Sequence, residues 1–128
     1  MKLLLDTHAL IWWLLDDDRL SRRARAAIST AGSDAHVSAV SAYEIAQKYW
    51  LGRLPDAGVL AQRFDQEVTA EGFTPLLLAS AEARCAGMLQ SRHRDPFDRL
   101  LAGQAMVNGM AIISIDSAFD DLGAKRLW

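Results

Sequence analysis

The sequence has one cysteine, Cys85, and only three histidines and three prolines in 128 residues. A single thiol cannot close an internal disulfide, and His8, His36 and His93 fall at no spacing that would build a zinc site with it. Staples and structural zinc are therefore excluded as sources of stability, and a reducing cytoplasm is the compartment expected. Long apolar runs are also missing. The opening run in "MKLLLD" is cut off by Asp6, well short of a signal-peptide core or of the ~20 apolar residues of a membrane span. The chain is expected to be soluble and unprocessed, with no membrane partner. Nor is there a large excess of charge: 14 basic residues face 16 acidic ones, a net charge of −2, which argues against tight nonspecific binding of a polyanion. That exclusion weakens if acids are consumed by a metal. Taking four of the 16 acids out of the count leaves 12 against 14 bases, and bases cluster locally in "RLSRRAR" (19–25) and "RHRDPFDR" (92–99).

What is present is apolar: 51% of the residues are hydrophobic, enough for a sizeable core in one domain spanning residues 1–128. Four short apolar runs predict strands at Lys2–Leu5, His36–Val40, Phe73–Leu77 and Ala111–Ile115, with a fifth at Lys125–Trp128. The first, third and fourth are nearly continuous rather than alternating, as in strands covered on both faces. Helical patterns lie between them. Ala24, Ala27 and Ile28 recur at helical spacing, as do Ala42, Ile45, Ala46 and Tyr49, with Gly52 placed to stop the second series. Further helices are predicted over Ala57–Glu71, over Ser80–Gln90 with Ser80 as N-cap, and over Pro96–Asn108, which closes at Gly109. Strands alternating with helices predict an α/β fold of three layers, α/β/α, around a central, mostly parallel sheet of four to five strands.

Four acids take distinctive places in this scheme. Asp6 ends the first strand, Glu44 follows the second, Asp98 opens the helix before the fourth, and Asp116 ends the fourth. Junctions of this kind lie along the carboxyl edge of an open α/β sheet, where such folds bind ligands. Each acid also has an ordinary explanation. Asp6 and Asp116 fit N-caps, Ser41-Ala42-Tyr43-Glu44 fits a capping box, and Glu44 and Lys48 form an i, i+4 ion pair. In "HRDPFDRLLAGQA" Asp95 reads as N-cap, Pro96 as the first helical residue, and Asp98 as an acid able to bond back to the cap. Capping does not explain convergence. Four carboxylates brought together repel and raise one another's pKa unless a cation sits among them, and oxygen ligands alone suit Mg²⁺ or Mn²⁺. Such an ion can activate water against a phosphodiester without a dedicated histidine base, so nucleic acid hydrolysis is the chemistry that fits.

The segments "LLLDTHALIWWL", "SAVSAYEIAQKYWLGRL", "HRDPFDRLLAGQA" and "ISIDSAF", in this order and spacing, resemble the PIN-domain family, and in particular the VapC-type toxins of bacterial toxin–antitoxin pairs. The likeness runs from Lys2 to about Phe119. It implies a PIN-like nuclease domain, endoribonuclease cleavage of RNA dependent on Mg²⁺ or Mn²⁺, and inhibition by a small VapB-like antitoxin. It also implies that Asp6, Glu44, Asp98 and Asp116 are the metal-binding and catalytic acids. The family often has threonine where this chain has Ser114, and tryptophan where it has Tyr43. Neither change removes a carboxylate.

Other residues stay open between two roles. Arg99 can hold a substrate phosphate or pair with Asp95; Thr7 and Ser41 can touch metal-bound water or cap helices. Cys85 shares a predicted helical face with Ala81, Met88 and Leu89 and reads as a core thiol. "ALIWWLL" (9–15) is apolar all round, so Trp12 and Trp13 either fill the core or meet a partner. That partner would be the antitoxin or a second copy of the chain, a homodimer being the expected assembly. A PIN nuclease of general RNA processing, a phosphoacceptor receiver and a metal-free binding module are the alternatives. A receiver needs paired acids after its first strand, where this chain has Asp6-Thr7.

Overall fold

The computed structural model describes residues 1–128. Strand β1 (Lys2–Leu5) leads into helix α1 (Thr7–Leu14), and α2 (Arg22–Ser29) precedes β2 (Asp34–Ser38), which runs directly into α3 (Ala39–Trp50). A turn of 3-10 helix (Pro55–Ala57), α4 (Gly58–Gln62) and α5 (Phe64–Ala70) then lead to β3 (Thr74–Leu76). Next come α6 (Ser80–Met88), α7 (Pro96–Asn108), β4 (Ala111–Ile113), α8 (Ala118–Asp121) and β5 (Arg126–Leu127). The strands form one sheet in the order β3-β2-β1-β4-β5, with every neighbouring pair parallel. No helix is long and apolar enough to cross a membrane.

Two of the three continuous apolar runs, β1 and β4, are buried on both faces, whereas β3 lies at the sheet edge with Thr74 and Pro75 exposed and Leu76 half-buried, contrary to the double covering expected of it. Along β1, alternate side chains point to opposite sides of the sheet: Leu3 and Leu5 join the larger core beneath α1, α2 and α5, whereas Leu4 packs with Ile112, Leu101 and Phe119 on the side of α7 and α8. All three leucines are fully buried, each contributing roughly 1.5–3 kcal/mol of transfer free energy. The "WW" pair belongs largely to this packing. Trp12 is 8% exposed, and half-buried Trp13 packs against Phe73 with its ring tilted by 55° and donates its indole N–H to Glu71 at 2.9 Å.

Several boundaries differ from the sequence reading, each for a local reason. The second strand ends at Ser38 rather than Val40, because the Ser38 hydroxyl accepts the Val40 N–H and caps α3. Ser41 is therefore a residue within α3 and not a cap, so the capping box expected at Ser41–Glu44 is absent. The fourth strand stops at Ile113, where the Ser114 hydroxyl accepts the Asp116 N–H and turns the chain. The helix expected over Ala57–Glu71 is broken at Arg63, whose backbone (φ −133°, ψ 41°) is not helical. Leu60 before the break and Val68 after it both enter the larger core. Ser80 is the first residue of α6 and Ala79 its cap, with the Glu82 carboxylate accepting the Ala79 N–H at 2.6 Å. The buried side of α6 carries Glu82 and Ala86, so Cys85 is only half-buried and Met88 is 76% exposed, contrary to the core face expected there.

A close helix contact fixes α7. A Cβ on Gly103 would lie 2.8 Å from both the Ala86 nitrogen and the Glu82 carbonyl oxygen, so only glycine lets α7 approach α6 this far. The helix then closes at Gly109 in the left-handed conformation (φ 64°), which glycine adopts without a Cβ penalty.

Candidate metal centre and nuclease cleft

The strand order reverses between β1 and β4: from β1 the chain proceeds outward through β2 and β3, while β4 and β5 lie on the other side. In parallel sheets the carboxyl ends of strands at such a switch point open into a crevice. Asp6 stands at that point, held to β4 by its N–H, which donates to the Ile113 carbonyl at 3.1 Å. Its Oδ1 accepts the Ala9 N–H at 2.7 Å, so it is the N-cap of α1 as expected. The side chain is only 6% exposed. Burial pushes its carboxyl up to about 6, against the opposing pull of the Ser114 hydroxyl, the Ala9 N–H and His8, and the charge of Asp98 adds to the rise.

Behind Asp6 the first turn of α1 meets α3. The Thr7 hydroxyl donates to Glu44 Oε1 at 2.7 Å and lies 3.0 Å from the Ser41 hydroxyl. Glu44, 6% exposed, also forms the expected i, i+4 ion pair with Lys48. Ser41 is fully buried beneath Thr7; it supports the Thr7–Glu44 contact and does not line the cleft.

At the start of α7, Asp95 is the N-cap, accepting the N–H groups of Phe97 at 2.8 Å and Asp98 at 3.3 Å, with Pro96 in the first helical position. The Asp98 carboxylate does not reach back to the cap. It accepts a hydrogen bond from His93 Nε2 at 2.8 Å. Partial burial raises the Asp98 pKa; the His93 bond opposes the rise, and the charges of Asp95 and Asp116 reinforce it. Asp116, beyond β4, is exposed and accepts the Ala118 N–H at 2.9 Å. Ser114 is fully buried between the two acids it serves, accepting from the Asp116 N–H at 3.0 Å and lying beside the Asp6 carboxylate.

Asp6, Glu44, Asp98 and Asp116, separated by up to 110 positions in sequence, line one cleft of about 380 Å³, and Asp95 lines it too. As the side chains stand, no three of them approach closely enough to hold one ion between them. Each is turned to a neighbour: Asp6 to Ala9, Glu44 to Lys48 and Thr7, Asp98 to His93, Asp116 to Ala118. Donor chemistry and charge nonetheless fit an oxygen-preferring divalent cation. All five acids offer hard oxygens, and a positive ion placed among them would offset the burial that chiefly raises Asp6 and Asp98 and the carboxylate repulsion that adds to it. Lys48, paired with Glu44, is the cation already at the rim.

Two participants were not legible as such. His93 lies five residues before Asp98 with no ligand spacing, and only the fold brings its ring to that carboxylate. Arg99 takes neither role considered for it. It forms no ion pair with Asp95 and does not line the acid cleft; its guanidinium donates to main-chain carbonyls of residues 87–93.

Comparison with known proteins agrees with this architecture. The PIN domain family model matches residues 3–125. Ribonuclease VapC22 of Mycobacterium tuberculosis is 33% identical over 120 residues, covering 88% of this chain and 85% of that protein. Among solved structures, VapBC2 from Rickettsia felis bound to a promoter DNA fragment superposes with a TM-score of 0.70 at 9% identity, over 99% of this chain and 98% of that one. VapBC-1 from nontypeable Haemophilus influenzae gives a TM-score of 0.67 at 14% identity, over 99% and 97%. At such identities the structures testify to the fold alone, whereas the family match and the 33% relative extend over nearly the whole sequence. The chain belongs to the PIN-domain family.

Proposed function

We propose that this protein is a metal-dependent endoribonuclease that hydrolyses RNA phosphodiester bonds and acts as the toxin of a toxin–antitoxin pair. The observation that carries the reading is the convergence of four carboxylates from distant segments on one cleft at the sheet's switch point. Asp6, Glu44, Asp98 and Asp116 are the residues proposed to hold Mg²⁺ or Mn²⁺. When bound, such an ion lowers the pKa of a water and neutralises charge developing on the phosphate. The chain's own residues arrange the rest. Thr7 orients Glu44, Ser114 ties Asp6 to the Asp116 turn, and His93 fixes the Asp98 carboxylate. With its Nε2 spent on Asp98, His93 is a positioning residue.

The ribonuclease name of the 33% relative supports RNA as substrate. That the structural neighbours are VapBC proteins supports a VapB-like antitoxin as partner. A homodimer is the assembly we propose for the toxin itself.

The test is incubation of purified, antitoxin-free protein with total RNA, with Mn²⁺ and with EDTA, beside Asp6→Asn. Cleavage is expected only for the wild type with metal. Cleavage by Asp6→Asn at the wild-type rate contradicts the reading.

A further inference from the structure

Residues 89–95, between α6 and α7, belong to no helix or strand. Arg99, in the first turns of α7, gives this segment its shape. Its Nη1 donates to the carbonyl oxygens of Ser91 and His93, both at 3.0 Å, and its Nη2 to those of Leu89 at 2.9 Å and Gly87 at 3.4 Å. A guanidinium has five N–H donors in a rigid fork, and here four bonds go to the main chain. Arg99 has no carboxylate partner; it is a clamp that draws the loop's carbonyls around itself.

Clamping leaves Arg92 and Arg94 exposed on either side of His93, and neither makes an ion pair. With Gly87, Ser91, His93 and Arg99 they line a second concavity of about 640 Å³, which contains no acidic residue. This surface adjoins the acid cleft, since His93 lines one and bonds Asp98 of the other. Because the loop's main chain is already held, taking up an anion orders only the two side chains, and arginine suits phosphate oxygens in both shape and charge. A chain of net charge −2 attracts a polyanion only where its positive charge is local.

We propose that Arg92 and Arg94 form a subsite for the phosphodiester backbone of single-stranded RNA next to the bond that the acid cleft cuts, with Arg99 as the residue that positions their loop. This rests on the nuclease reading above.

The test uses the full chain and a fluorescein-labelled single-stranded RNA of mixed sequence. In the Asp6→Asn background, affinity is measured over a series of KCl concentrations for the parent, for Arg92→Ala with Arg94→Ala, and for Arg53→Ala with Arg63→Ala, which removes the same net charge elsewhere. The slope of log K against log salt should fall by about 1.4 for the first pair, from about 0.7 per phosphate contact on a single strand, and stay at the parent value for the second. In the active protein the first pair should raise KM several-fold without lowering kcat. An unchanged slope for Arg92→Ala with Arg94→Ala, or an equal fall for both pairs, overturns the subsite. The slope change together with no cleavage of this RNA by wild type in Mn²⁺ contradicts the nuclease reading and not the subsite. RNA that is cleaved with an unchanged slope contradicts the subsite alone, and RNA that is neither bound nor cleaved contradicts both.

Discussion

Replacing Asp6 by asparagine should make the metal-free protein more stable at neutral pH. Burial raises the Asp6 carboxyl from 3.8 to about 6, so between those values the folded state keeps a proton that the unfolded state has released. Stability therefore falls as pH rises through this window and is lowest above it. A shift of about two units at ~1.36 kcal/mol each gives an upper figure of roughly 3 kcal/mol. The pulls of the Ser114 hydroxyl and the helix N-terminal Ala9 N–H on the carboxylate are already contained in that shift. Asparagine still accepts the Ala9 N–H as an N-cap, and solvent reaching the cleft lowers the upper figure. A net gain of ~1–2 kcal/mol is expected at pH 7.5 in EDTA, seen as a rise in Tm of roughly 4–8 °C. At pH 4 the gain should vanish, since wild-type Asp6 is then protonated in the fold. Mn²⁺ should reverse the order at pH 7.5 by stabilising only the wild type. Thermal unfolding followed by circular dichroism at both pH values, with and without Mn²⁺, makes the comparison. If Asp6→Asn is less stable than wild type in EDTA at both, burial of an uncompensated carboxylate is not what strains this site.

Other consequences follow from single contacts. His93→Ala frees the Asp98 carboxylate from its 2.8 Å bond and should weaken Mn²⁺ affinity by about 10–100-fold with the fold intact, as read by calorimetric titration. Arg99→Ala deprives three loop carbonyls and that of Gly87 in α6 of their donor; urea unfolding should show a loss of about 1–3 kcal/mol, and amides of residues 89–94 should lose hydrogen-exchange protection before those of the sheet. Gly103→Ala forces a Cβ to within 2.8 Å of α6 backbone and should cost ~1–3 kcal/mol, with the α7 end that bears Asp98 shifted and Mn²⁺ affinity reduced.

The sequence was most informative where one physical demand dominates. The run Leu3–Leu5 ended by Asp6 has no plausible place except a doubly covered strand with an acid at its carboxyl end, and the structure puts it at the centre of the sheet. Asp95-Pro96 announces the start of α7 because a preset backbone angle and a capping oxygen act locally. Illegible features depend on tertiary neighbours. Ser38 and Ser41 are chemically equivalent caps until the end of β2 selects Ser38. The break at Arg63, on either side of which Leu60 and Val68 enter the same core, is marked by no local residue preference. The Arg99 clamp is hidden for a related reason: its partners are main-chain carbonyls, which every residue has and no side chain advertises.

The most direct test of the account is Mn²⁺ binding at pH 7.5 followed by electron paramagnetic resonance, for wild type and for Asp6→Asn, Asp98→Asn and Asp116→Asn, each confirmed as folded. Saturable binding by the wild type, weakened by every one of these substitutions although Asp6 and Asp116 lie 110 positions apart, is the predicted result. A wild type that binds no Mn²⁺, or binding that all three variants retain at full strength, would contradict the claim that these acids form a single metal centre.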